Sequence, residues 1–298
     1  MIKPEAGKRK RSPSKEPVSK LEEATLIPKR PKLLHLIIPN ALNSGMQHVD
    51  ASSPDSLFSA SDDGWSLTSS DDQVTHTAPK DDAIVALRTL PPIPGLYFDP
   101  DVRLPQELAD LVTAFCMKTY FTSPLDNQVM LFGRFPSSDN DTTSTSGFPT
   151  VLLDLLDAVS ESLRPVLPPK TYALLFPSVP TRARQAIINL YQPGEGITPH
   201  VDLLGRYGDG IMGISFSSGS VMRFDEAEAP NRRWDAYLPE RSIIVMTEDA
   251  RYKWTHGIEK KTKDLVLSGA EGSAWIERGT RMSVTFRWLL PGADVVGE

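Results

Sequence analysis

The chain has 298 residues, 40% of them apolar, 23% charged, and a formal net charge of −6. That length allows one or two domains. A single cysteine, Cys116, excludes an internal disulfide and a cysteine-rich zinc site, and no apolar stretch reaches the length of a membrane-spanning helix or the core of a signal peptide. These features predict a soluble intracellular protein with no membrane partner, and Cys116 as a buried apolar residue.

Residues 1–82 are rich in Ser, Pro, Asp and Lys with few apolar runs. Such a composition buries too little surface to offset the entropy of ordering, so a largely disordered tail is expected. Its halves differ electrically: Met1 to Lys32 carries a net charge of +6 and Leu33 to Asp82 one of −7. The cluster Lys8-Arg9-Lys10-Arg11 reads as a nuclear localisation signal, a nucleic-acid arm or a solvated charge run. It favours a nuclear over a cytoplasmic location. Leu33 to Ile38 is either a docking segment or a run without function. The acidic, aromatic-dotted stretch from Asp50 to Asp72 is either a site for a protein partner or a plain linker.

Order is expected from Ala83, so residues 83–298 form the folded domain. Its net charge of −5 means that any phosphate-binding patch must be local. Pro91 to Phe98 reads as an extended lead-in. Pro105 to Tyr120 has helical spacing at Leu108, Leu111, Val112, Phe115 and Cys116, with Pro105 and Glu107 suited to a first turn. A second helix is predicted over Pro149 to Leu163, and Ser137 to Gly147 reads as a surface loop. Short strands follow at Ala186 to Tyr191, Ile211 to Phe216, Val221 to Phe224, Ser242 to Thr247 and Arg281 to Trp288. Helices before strands point to an α+β, mainly β fold in which helices pack on a β-sandwich or jelly roll. No internal repeat is evident.

Only two of the five histidines, His200 and His256, fall in the folded region. Side chains at i and i+2 of a strand share a face, so Asn189 and Tyr191 point together, as do His200 and Asp202 if that segment is extended. Pro193, Gly194 and Gly196 make the turn between the pairs. Two imidazoles and one carboxylate form a facial triad suited to non-heme Fe(II), although a His-x-Asp pair by itself is also an ordinary surface or core contact. In the last strand Arg281, Ser283, Thr285 and Arg287 share a polar face opposite the apolar Met282, Val284, Phe286 and Trp288. Six residues separate the arginines by about 20 Å at the backbone. Their side chains either converge on a small dicarboxylate between them or lie solvated on an edge strand.

With these motifs assembled, Ala83 to Gly292 resembles the AlkB-like branch of the Fe(II) and 2-oxoglutarate dependent dioxygenases. The Asn-x-Tyr pair falls on Asn189 and Tyr191, the His-x-Asp on His200 and Asp202, the distal His on His256, and the paired arginines on Arg281 and Arg287. The resemblance implies a double-stranded β-helix with N-terminal supporting helices. It implies Fe(II) on His200, Asp202 and His256, and 2-oxoglutarate held by Asn189, Tyr191, Arg281 and Arg287, with O2 as oxidant. Arg281 then pairs with the distal carboxylate, and Arg287 touches either the proximal carboxylate or Asp202. Ser283 stands where some relatives place Asn. The stretch from Arg251 to Ile258 and the Lys-, Gly- and Ser-rich insertion before Arg281 resemble eukaryotic branches, including hydroxylases of wobble uridine. Asn127 to Gly133 loosely resembles the family's substrate lid.

The expectation is therefore an enzyme that demethylates or hydroxylates a modified nucleic acid base in RNA, tRNA or DNA. Two alternatives remain open at this stage. One is the same chemistry on a protein or small molecule, and the other is a non-catalytic scaffold that retains the fold.

Overall fold

The computed structural model describes residues 84–133, 147–269 and 272–293. Lys8 to Arg11, Leu33 to Ile38, the stretch from Asp50 to Asp72, and Ser137 to Ser146 of the expected surface loop lie outside the described residues. In order, the elements are β1 (Leu96–Arg103), α1 (Gln106–Thr119), β2 (Gln128–Gly133), α2 (Thr150–Leu163), α3 (Pro169–Leu175), β3 (Arg184–Tyr191), β4 (Ile197–His200), β5 (Tyr207–Phe216), β6 (Ser220–Glu226), β7 (Ala229–Leu238), β8 (Ser242–Met246), α4 (Glu248–Tyr252), β9 (Trp254–Ile258), β10 (Lys263–Leu267), β11 (Ser273–Glu277) and β12 (Arg281–Leu289).

Two antiparallel sheets face each other. The larger runs β1-β8-β5-β12-β3-β2 and the smaller β4-β9-β6-β7. From β3 the chain crosses back and forth between them, turning once within the smaller sheet from β6 to β7, with β3, β5, β8 and β12 in the larger sheet and β4, β6, β7 and β9 in the smaller. That winding is a double-stranded β-helix, and the α+β, mainly β expectation holds. Between the sheets, Leu96, Phe98, Ile211, Ile244 and Met246 meet Phe224, Ala236, Leu238 and Trp254 in one buried cluster. Fully burying side chains of this size contributes roughly 1.5–3 kcal/mol each.

The larger sheet is covered on its other side as well, which is why every residue of β3 is buried. The Phe148 ring meets Phe286 at 6.0 Å, and the Trp288 indole donates to the Leu174 carbonyl at 3.1 Å. The helical layer presents Val112, Cys116, Leu152, Leu155, Val159 and Leu175, all buried. Prolines 105, 149 and 168 precede α1, α2 and α3 as N-caps. Leu111, predicted on the buried face of the first helix, is instead 55% exposed. The buried stripe runs Ala109, Val112, Cys116, which turns Leu111 outward. Cys116 is buried, and burial pushes its thiol up to about 12.

The insertion before Arg281 forms its own two-stranded sheet of β10 and β11. Two isolated bridges, Ala86 to Val266 and Leu87 to Ala236, link the extended segment before β1 to β10 and to β7. Arg278 grips Asp264 through two hydrogen bonds of 2.7 Å, and Val221 N donates to the same carboxylate at 3.1 Å. Among the described residues no helix is long and apolar enough to cross a membrane.

Candidate metal centre and anion pocket

His200 ends β4 and pairs across the sheet with His256 in the middle of β9, their ring centroids 4.5 Å apart. Asp202 follows two residues beyond the end of β4, so it is not placed by strand alternation. One donor atom from each of these three side chains lies within 4.8 Å of the others, the one such cluster among the described residues.

The hydrogen bonds around the three leave specific atoms bare. The Thr198 carbonyl lies 2.9 Å from His200 Nδ1. A carbonyl only accepts, so Nδ1 carries the proton and Nε2 keeps its lone pair. On Asp202, Oδ1 accepts from Arg287 Nη2 at 2.8 Å, whereas Oδ2 stands 3.6 Å from His256 Nε2. His200 Nε2 and Asp202 Oδ2 are both buried without a hydrogen-bond partner. Orphaned buried acceptors of this kind are rare and call for an explanation. A divalent cation fits them, because N and O lone pairs aimed at one point are what such an ion requires.

The electrostatics agree with that fit. Burial pulls the His256 imidazolium down to about 3, the neighbouring His200 adding to the effect and Asp202 opposing it. Burial likewise lowers His200, again against Asp202. For Asp202 burial pushes upward, but Arg287, His256, His200 and Arg251 outweigh it and the carboxyl is held below its ordinary range. At neutral pH the cluster therefore offers two neutral imidazoles and a carboxylate, the protonation states that metal binding needs.

A cavity of about 540 Å³, counting its open mouth, is lined by His200, His256, Asn189, Tyr191, Arg281 and Arg287 among others. Register explains why. Arg281 lies opposite Tyr191 and Ser283 opposite Asn189 on β3, while Ser283 lies opposite Ser215 on β5. Arg281 is buried, its guanidinium sits 5.5 Å from the Tyr191 ring centre, and Nη2 donates to Ser215 Oγ at 2.9 Å. Its Nε has no hydrogen-bond partner, and among the described residues no carboxylate pairs with it. A buried guanidinium without a counter-ion is costly unless an anion arrives. Burial raises the Tyr191 phenol, against Arg281 and hydrogen bonding from Ser283 and Asn189, so it remains a donor. Both arginines line the cavity, and Arg287 is engaged with Asp202, the second of the two roles expected for it.

The segment from Asn127 to Gly133 contains edge strand β2, paired with β3. Its Gln128 Nε2 donates to Asn189 Oδ1 at 2.8 Å, which turns the Asn189 amide nitrogen to other partners. Gln128, Ser215 and Arg251 are the site neighbours that sequence reasoning missed. A polar first residue in the otherwise apolar QVMLFG, within the lid-like segment Asn127 to Gly133, was the visible signal for Gln128.

The family model described as the 2OG-Fe(II) oxygenase superfamily matches residues 129–287, more than half of the chain. The chain belongs to the 2OG-Fe(II) oxygenase superfamily. Several of its relatives carry AlkB-homologue names, each matched over about a third of this chain. It is 40% identical over 103 residues to the "Uncharacterized protein L905" of Acanthamoeba polyphaga mimivirus, which covers 35% of this chain and 47% of that protein. It is 37% identical over 115 residues to the Xenopus tropicalis "tRNA (carboxymethyluridine(34)-5-O)-methyltransferase alkbh8", covering 35% of this chain and 18% of that protein. The chain thus spans less than half the length of both relatives. Among solved structures, "The structure of OsALKBH1" matches with 16% identity and a TM-score of 0.40, over 65% of this chain and 98% of that one. Membership of this superfamily implies Fe(II), 2-oxoglutarate and O2, and His200, Asp202 and His256 form a cluster able to hold a metal.

Proposed function

We propose that His200, Asp202 and His256 hold the Fe(II), and that Arg281, Asn189 and Tyr191 hold 2-oxoglutarate, with Arg287 bracing Asp202. The observation that carries this reading is one cavity lined by both candidate imidazoles, with His200 Nε2 and Asp202 Oδ2 orphaned beside it, and by a buried guanidinium without a carboxylate partner. Bound there, Fe(II) with 2-oxoglutarate and O2 supplies the power to insert one oxygen atom into a substrate C–H bond, 2-oxoglutarate leaving as succinate and CO2. Everything else falls to the chain. Thr198 fixes the His200 tautomer, and Arg287 engages one Asp202 oxygen so that the other stays available. Arg281 and the Tyr191 hydroxyl would hold a carboxylate of 2-oxoglutarate. Met222, Leu238, Ile244 and Met246 keep water from the apolar wall.

The substrate we propose is a modified base in nucleic acid, RNA or tRNA before DNA. A relative whose name is that of a tRNA methyltransferase supports it. An N-methyl target is hydroxylated and then splits into formaldehyde and the free amine. A second reading, a protein or small-molecule substrate, draws on the folded region's net charge of −5, which gives no broad basic footprint. The domain boundary near residue 83, the partner-binding role of the tail and a nuclear location through Lys8 to Arg11 belong to the same proposal.

The test is succinate formation from 2-oxoglutarate in the presence of modified tRNA, methylated RNA and DNA oligonucleotides, or peptides. Stimulation by a modified nucleic acid, absent in His200→Ala, is expected. Stimulation by peptides or small molecules alone moves the assignment to the second reading. Tight Fe(II) binding with no turnover on any class returns the scaffold.

A further inference from the structure

Arg251 is buried, 2% exposed, in the last turn of α4 and five residues before His256. Its guanidinium donates to four backbone carbonyls, all on one short stretch of chain. Nη1 reaches Asp202 O at 2.9 Å, Nη2 reaches Tyr207 O at 3.2 Å and Leu203 O at 3.4 Å, and Nε reaches Gly208 O at 3.3 Å. Among the described residues no carboxylate forms an ion pair with it. A desolvated arginine spent on main-chain carbonyls of the loop and of the first two residues of β5 ties the loop to the strand and holds it in a single conformation.

The loop needs such a brace. Between β4 and β5 its own backbone hydrogen bonds are two, Arg206 N and Tyr207 N to Leu203 O, and Leu204 and Gly205 face solvent. Asp202 begins it. The carboxylate is fixed from one side by Arg287, and Leu290 N donates to Arg206 O at 2.9 Å farther along the loop, so the backbone at Asp202 itself depends on a further grip. Arg251 grips it from an element that leads straight into β9, so one side chain ties the backbone of Asp202 to the run-in of His256.

We propose that Arg251 is a positioning residue for the metal site: by clamping residues 202–208 it keeps Asp202 Oδ2 facing His256 Nε2 before any ion binds. The inference rests on the reading of His200, Asp202 and His256 as metal ligands. Lysine keeps the charge at this position but, as a single ammonium on a flexible stem, does not reproduce a fork spread over four carbonyls.

The test is a Co(II) titration of the full-length protein, followed by the visible d–d absorption of the bound ion, beside metal-free thermal melts. Five proteins are compared: wild type, His200→Ala, Arg251→Lys, Arg251→Gln and Leu155→Ala. Leu155→Ala lowers stability through a helix remote from the site. We expect wild type to bind and His200→Ala to fail. Arg251→Lys and Arg251→Gln bind ten- to a hundredfold more weakly than wild type, the usual cost of losing an outer-shell partner, with an altered d–d band. Leu155→Ala melts earlier yet binds with wild-type affinity and spectrum. Wild-type affinity and spectrum in both Arg251 variants overturn the proposal while leaving the metal reading intact. Loss of Co(II) binding only in step with lost folding, or to the same extent as in Leu155→Ala, makes Arg251 merely structural and overturns it too. No binding by wild type removes both readings.

Discussion

At the scale of single residues, the site is defined by what its atoms lack. His200 Nε2, Asp202 Oδ2 and Arg281 Nε are buried and unpaired, although hydrogen bonds hold the same side chains at Nδ1, Oδ1 and Nη2. Gln128→Leu removes the donor that orients Asn189, so the KM for 2-oxoglutarate should rise several-fold while Co(II) affinity stays put, measured by steady-state kinetics and by titration. A joint loss of both would mean that Gln128 supports the fold and not the amide. Burial takes His256 from an ordinary value of 6.5 to about 3, so between these values the unfolded chain binds a proton that the folded chain does not. Stability of the metal-free protein is therefore complete above pH 6.5 and declines as pH falls from there toward 3. The depressed Asp202 adds a loss in the same direction below its own ordinary value. Urea midpoints across this range should fall less steeply in His256→Gln than in wild type, and parallel slopes would remove His256 as the cause.

At the scale of elements, the sequence was most readable where one strand alone carries the pattern. The alternation in Arg281 to Trp288 showed a polar and an apolar face, and β12 has both, the polar one on the cavity and the apolar one under the helices. The five strands read from the sequence correspond to β3, β5, β6, β8 and β12. What was hidden depends on partners far along the chain. β10 and β11 lie inside a stretch that reads as a polar insertion, and they form because Ala86 bridges β10 and Arg278 locks Asp264. The meeting of His200 with His256 is a cross-strand register, invisible without the sheet. The glycines also did more than turn the chain. Gly194, at φ +92°, is a turn residue, but a Cβ on Gly196 would fall 2.1 Å from the Ile258 carbonyl oxygen. A Cβ on Gly257 would lie 2.8 Å from Pro199 Cα, directly between β9 and β4. Gly257→Ala should thus push apart the strands that bear His256 and His200, costing about 1–3 kcal/mol in chemical unfolding and weakening Co(II) binding. Unchanged stability with unchanged binding would mean that the two strands separate without disturbing the histidines.

At the scale of the whole molecule, the candidate ligands and the cavity residues all fall between Asn189 and Arg287, inside the span shared with the oxygenase superfamily. The segment just before β1 nevertheless contributes to the fold, since Ala86 and Leu87 bridge β10 and β7. A protein lacking residues 1–82 should keep full-length Co(II) affinity and melting temperature. Removing residues 1–90 should lower the melting temperature by freeing the hairpin of β10 and β11. Equal melting of the two truncated proteins would show that those bridges contribute nothing.

The central claim, a single cavity that takes Fe(II) and a keto acid together, is tested most directly by the anaerobic absorption spectrum of the purified protein with Fe(II) and 2-oxoglutarate, beside His200→Ala. A charge-transfer band in the wild type that is missing from the variant is the predicted result, because the band reports bidentate chelation of the keto acid at the ion. The absence of the band from both proteins would contradict the claim.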